Sequence, residues 1–130
     1  MDDLSWTNPA DWETPAGRML QKLVGALPRD REFMITVFGS APLQVLVDSS
    51  LLSGDVDIFS DSEDLEHWVR QAGLSREQSE FHFQVCSGLN FRTSPRWGTR
   101  AQTVKLGHCT FRFPHPVDIL IAKLNRLEEK

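Results

Sequence analysis

The chain has 130 residues, enough to bury one hydrophobic core and too few for two. Hydrophobic residues make up 40% and charged residues 25%, the balance of an ordinary globular domain. A formal charge of −4 argues against wholesale electrostatic capture of nucleic acid or an anionic membrane, while leaving room for a local basic groove. No apolar run approaches the roughly 20 residues a membrane span needs. The acidic start "MDDLSWTNPADWE" lacks the basic end and apolar centre of a secretory signal. Cys86 and Cys109 are too few and too far apart for a disulfide framework or a zinc site, and both sit in alternating apolar stretches. The expectation is a cytoplasmic protein with two buried free thiols and a single domain over residues 1–130.

Residues 1–13 read as an irregular arm pinned by Trp6 and Trp12. A helix follows, with Thr14 as its cap, Pro15 at its first position, Pro28 past its end, and a stripe of Met19, Leu20, Leu23, Val24 and Leu27. "EFMITVF" (32–38) is short, apolar and rich in β-formers, as a buried strand requires. Residues 41–47 form a short helix, with Ser40 near its start and Pro42 in its first turn. "DVDIF" (55–59) alternates charged and apolar residues, the pattern of a strand with one buried face. "SDSEDLEHWVRQAGL" (60–74) reads as a helix capped by Ser60 or Ser62 and stopped at Gly73. "EFHFQVCSG" (80–88) and "LNFRTS" (89–94) read as strands, and "AQTVKLGHCTFRF" (101–113) as a hairpin turning at Leu106-Gly107-His108. The last segment starts a helix near Pro116, with Val117, Leu120, Ile121, Leu124 and Leu127 as its apolar face. No stop signal follows, so the chain is expected to end within that helix and to be part of something longer. No internal repeat is evident. The element order implies an α+β fold, a mixed β-sheet covered by helices on at least one side.

Two stretches carry chemistry. Asp55 and Asp57, one residue apart on a strand, project from the same face, while Val56 and Ile58 point to the core. Like charges so close repel, and a divalent cation removes the penalty; oxygen-only ligands suit Mg²⁺ or Mn²⁺. Gly39 permits close backbone approach to a ligand, and a helix beginning after Ser40 would turn free N–H groups toward a phosphate. Each feature also has an ordinary structural reading, as alternating surface charge on one strand and a loop with a helix cap on the other.

The order of strand, Gly-Ser, short helix and Asp-x-Asp resembles the nucleotidyltransferase superfamily built on the DNA polymerase β-like palm, with "VFGS" and "GDVDIF" as the matching pieces. Downstream, "RAQTVKLGHCTFRFPHPVDILIAKLNR" resembles bacterial nucleotidyltransferase-like families that include abortive-infection toxins, in which a helix lysine often points toward the nucleotide. The likeness spans roughly residues 14–130. It implies a polymerase β palm-like fold and Mg²⁺-dependent transfer of a nucleotide from a nucleoside triphosphate to an RNA, protein or small-molecule acceptor. Asp55 and Asp57 would be the catalytic metal ligands; Gly39, Ser40 and Lys123 would bind the nucleotide, with Asp118 and Arg126 on nearby turns.

The family also supplies a third carboxylate from a later strand, and here the pattern departs. "EFHFQVCSG" offers Gln84 and Cys86 where an acid is expected, "LNFRTS" and "QTVKLGHCTFRF" hold no acid at all, and Glu77 and Glu80 flank the strand. That departure keeps open a second reading, a catalytically impaired member that serves as a nucleotide-binding or protein-interaction module. Arg92, Arg96, Arg100, Lys105 and Arg112, interleaved with Phe91 and Trp97, make a basic, aromatic stretch that fits either RNA stacking or a solvated strand face. The four histidines show no ligand spacing, and Ser40 has no base partner for nucleophilic catalysis.

Overall fold

A computed structural model describes residues 10–46, 55–86, 93 and 95–128. Thr14 caps the first helix, its backbone extended and its Oγ1 accepting from Gly17 N at 3.0 Å, with Pro15 opening α1 (Pro15–Ala26). Met19, Leu20 and Leu23 are buried on this helix and Leu27 just beyond it, while Val24 packs at the margin.

The order continues β1 (Phe33–Phe38), α2 (Ala41–Leu46), β2 (Asp55–Ser60), α3 (Leu65–Gln71), β3 (His82–Val85), α4 (Trp97–Arg100), β4 (Gln102–Leu106), β5 (Cys109–Phe113) and α5 (Pro116–Glu128). The five strands form one mixed sheet in the order β3-β2-β1-β5-β4. β1 runs antiparallel to β2 and parallel to β5; β2 and β3 are parallel, and β4 and β5 form an antiparallel hairpin. The α+β class and mixed sheet expected from the element order are present.

Strand alternation divides the sheet into two unlike faces. Ile35, Val37, Val56, Ile58, Phe83, Phe111 and Phe113 meet Leu20 and Leu23 of α1 and Leu65 and Val69 of α3 in the main core. The opposite face carries Thr36, Phe38, Asp55, Asp57, Phe59, Gln84 and Arg112. There a smaller cluster forms around Phe38 and Ala122, with Phe59, Cys86 and Trp97 against it. All the chemistry described below lies on this second face or at its edge. Cys109 is in the main core, where burial pushes its thiol up to about 12, so it is an inert packing group; both cysteines are free.

Three local expectations change. α3 starts at Leu65, beyond Ser60 and Ser62; Asp64 precedes it, its carboxylate accepting from Trp68 Nε1 one turn along at 2.9 Å and pairing with Arg31. Ser60 Oγ instead accepts from Ser62 N in the turn leading there. α5 is rotated from the expected stripe: Asp118, Ile119 and Ala122 are buried, whereas Leu120 and Leu124 are 56% and 51% exposed. A helix with apolar residues on two adjacent stripes docks by whichever one finds a partner, and here Ala122 meets Phe38 and Asp118 meets Arg100. The four-residue α4 has no counterpart among the expected elements. The hairpin turns where expected, with Gly107 at φ +64°. The arm up to residue 9 and most of the expected strand over 89–94 lie outside the described residues. Among the described residues no helix is long and apolar enough to cross a membrane.

Candidate functional site

Pairing between β1 and β2 sets Phe38 opposite Asp57, at the point where β1 ends. The next residue, Gly39, has φ +74°. A Cβ there would lie 2.7 Å from Asp57 Oδ2, so only glycine lets the turn close against that carboxylate. Gly39→Ala should therefore lower the melting temperature, by an amount corresponding to about 1–2 kcal/mol for the left-handed backbone alone. Gly25→Ala, where an added Cβ meets nothing within 4 Å, is the control and should hold or raise stability. Thermal denaturation of the two variants checks the contrast.

Ser40 follows, its carbonyl accepting from Leu43 N and Gln44 N as α2 begins. α2 has six residues, too short to offer a substantial dipole. A cation reaches the same place from the other end of the chain: Lys123 Nζ on α5 donates to Ser40 Oγ at 3.0 Å. Gly39, Ser40, Asp55, Asp57 and Lys123, spread over 85 positions of sequence, thus form one continuous strip along the second face of the sheet.

The parallel register of β2 with β3 places His82 opposite Asp55 and Gln84 opposite Asp57. Turned so that its nitrogen faces the acids, the Gln84 amide donates to Asp55 Oδ2 at 3.1 Å and to Asp57 Oδ1 at 3.2 Å. The opposite orientation would set its oxygen against two carboxylate acceptors, an unfavourable contact. One neutral side chain therefore bridges the carboxylate pair and offsets part of its repulsion. Among the described residues no group of three or more His, Cys, Asp and Glu is placed to hold a metal ion. Two carboxylates and an amide nevertheless suit one hard cation: a half-turn of the amide exchanges its donor for an oxygen ligand.

Other expected residues serve the fold. Asp118 is fully buried and accepts from Arg100 Nε at 3.0 Å, Arg100 Nη2 at 2.6 Å and Thr93 Oγ1 at 2.8 Å. Arg112 donates through Nε and Nη2 to Thr36 Oγ1 at 3.2 and 3.1 Å, and its guanidinium lies 4.5 Å from the Trp97 ring centre. Trp97 in turn meets the Phe59 ring edge-on, with centres 6.4 Å apart. Two arginines of the basic, aromatic stretch are thus occupied by intramolecular partners. Phe91, Arg92 and the side chain of Arg126 lie outside the described residues. His67 meets the Trp68 ring edge-on, and His108 Nε2 contacts Leu27 O at 3.2 Å, so neither has a metal-site environment.

Two features of this face were not foreseen. The bridging role of Gln84 was signalled only by its standing where the family pattern calls for a third acid. The second is a cleft of about 310 Å³ at the β3 edge, lined by Asp55, Arg76, His82, Phe83 and Gln84. No family model, curated protein or solved structure matches the chain.

Proposed function

We propose that this domain is a Mg²⁺-dependent nucleotidyltransferase-like protein that binds a nucleoside triphosphate along the Lys123–Ser40–Gly39–Asp57–Asp55 strip. The observation that carries the reading is the convergence itself: a positive-φ glycine closed against one carboxylate, beside a lysine brought to the adjoining serine. Asp55 and Asp57 would hold the cation, Mg²⁺ or Mn²⁺, which neutralises phosphate charge and polarises the α-phosphoryl group. Lys123 would meet phosphate oxygens as they gain charge, and Gly39 would let the backbone approach them. In transfer, an acceptor hydroxyl oxygen bonds to the α-phosphorus, the bond from that phosphorus to the bridging oxygen breaks, and pyrophosphate departs. The hydroxyl proton passes to a carboxylate of the pair or to water.

Gln84 favours a second reading of the same site. A neutral amide beside the pair supplies neither the negative charge that draws in a second metal nor a base for the acceptor proton. Binding without fast transfer, as in a nucleotide-binding or protein-interaction module, follows from that chemistry.

Calorimetric or thermal-shift titration with each nucleoside triphosphate, with and without Mg²⁺, tests the binding common to both readings. At a nucleotide concentration near 100 times Kd, stabilisation of about 2.7 kcal/mol is expected. It should require Mg²⁺ and disappear in Asp55→Ala/Asp57→Ala. A wild-type protein without Mg²⁺-linked nucleotide binding would overturn the transferase and the nucleotide-binding module alike, leaving a role that does not involve nucleotide. Formation of pyrophosphate separates the transferase from the module.

A further inference from the structure

The cleft at the β3 edge opens from the side of Asp55 away from the Gly39–Ser40 turn, because β3 flanks β2 on one side and β1 on the other. Its walls differ in character. Asp55 and Gln84 form the end next to the carboxylate pair, while Arg76 and His82 bring cationic and imidazole groups to the cleft. Arg76 lies in the connection from α3 to β3, a segment folded on itself by Gln78 N→Ser75 O, Ser79 N→Ser75 O and Ser75 N→Gln78 Oε1. Phe83 N→Leu74 O ties that segment to β3.

Arg31, Arg70 and Arg100 all have acidic partners, but Arg76 makes no hydrogen bond or ion pair to any described residue. Its sequence neighbour Glu77 lies 3.9 Å from Arg70 and feels Arg76 through space as well. The His82 ring donates through Nδ1 to Glu80 O at 3.1 Å, which in the neutral ring makes Nε2 an acceptor. A guanidinium in the same cleft as a carboxylate, with the His82 imidazole next to Asp55 across the strand pair, matches a molecule that carries both an anionic group and a hydroxyl.

We propose that this cleft is the acceptor site, and that the acceptor is a small phosphorylated alcohol such as a sugar or polyol phosphomonoester. Its phosphate meets Arg76, and its hydroxyl is directed to Asp55. The inference rests on the nucleotide reading above and names the substrate class for it. The volume of about 310 Å³ accommodates a molecule of that size.

Calorimetry on the full chain with ribose 5-phosphate, ribose and a 5′-phosphorylated RNA hexamer tests the assignment. Ribose 5-phosphate should bind and ribose should not. Arg76→Ala should weaken the phosphomonoester at least tenfold, while Arg29→Ala, an exposed arginine before β1, should leave it unchanged. Equal binding by the wild type and Arg76→Ala, or no binding by either, overturns the proposal. Tenfold tighter binding of the hexamer than of ribose 5-phosphate overturns the small-molecule assignment in favour of a nucleic-acid end. Mg²⁺–ATP titrated into the wild type keeps the parent reading separate. Arg76-dependent phosphomonoester binding by a protein that ignores Mg²⁺–ATP would refute the nucleotide site and leave an isolated anion site. Mg²⁺–ATP binding without phosphomonoester binding overturns the acceptor cleft alone.

Discussion

Gln84→Glu is expected to tighten Mn²⁺ binding by about tenfold or more, equivalent to about 1.4 kcal/mol, in the absence of any nucleotide. In the native site the Gln84 amide donates to both Asp55 and Asp57, doing in part what a cation would do. A metal ion entering that site must displace two hydrogen bonds or wait for the amide to turn its oxygen inward. Glutamate removes both obstacles and raises the ligand charge from two carboxylates to three. It also removes the bridge, so the metal-free variant holds three like charges on neighbouring strands and should melt below the wild type. The signature is therefore a pair of opposite shifts: a lower melting temperature without metal, and a larger rise on adding Mn²⁺. Gln84→Leu separates the effects, since it loses the bridge without gaining a ligand and should melt lower with no gain in affinity. Manganese electron paramagnetic resonance gives stoichiometry and affinity directly. A Gln84→Glu protein that responds to Mn²⁺ no more than the wild type would show that the two aspartates do not present a cation site.

The parts of this site that were legible in the sequence are those fixed by local rules. Thr14 and Pro15 announce a helix start, alternation in "DVDIF" puts both acids on one face, and Gly107 marks a hairpin turn, because each depends on a few adjacent residues. Gly39 and Ser40 stand out for the same reason. Lys123 was singled out through a family resemblance, not through any local rule. What remained illegible depends on register between distant segments. Nothing in "HFQVC" says that β3 lies parallel to β2 with Gln84 opposite Asp57, and a shift of one residue would have turned that amide to the core. Arg76 looks like any surface arginine until the α3–β3 connection is folded onto the strand. The expected face of α5 failed because periodicity counts apolar residues without weighing a buried ion pair, and Asp118 outbids Leu120 and Leu124 for the inward position.

That ion pair supports the second expected result, an ordering of stabilities in which the single variants are worse than the double. Asp118 has 0% exposure and Arg100 18%, so the carboxylate is the more thoroughly desolvated partner. Arg100→Met leaves it the hydrogen bond from Thr93 Oγ1 among the described residues. A buried charge stripped of its counter-charge is among the costlier defects a core can carry, and a fall of more than about 5 °C in melting temperature is expected. Asp118→Leu should cost less, because the freed guanidinium sits nearer to water. Arg100→Met/Asp118→Leu should recover much of the loss, since the hydrophobic pair has no desolvation to repay. Additive losses would mean that the two residues act independently and that α5 is held by its apolar contacts. The ordering reaches the functional face as well. Asp118 is the third residue of α5 and Lys123 lies five positions further along, so the pair sets the rotation that brings Lys123 Nζ to Ser40 Oγ. Arg100→Met should therefore speed amide exchange over α5 and weaken any ligand held between Lys123 and Gly39, with both effects reversed together in the double variant.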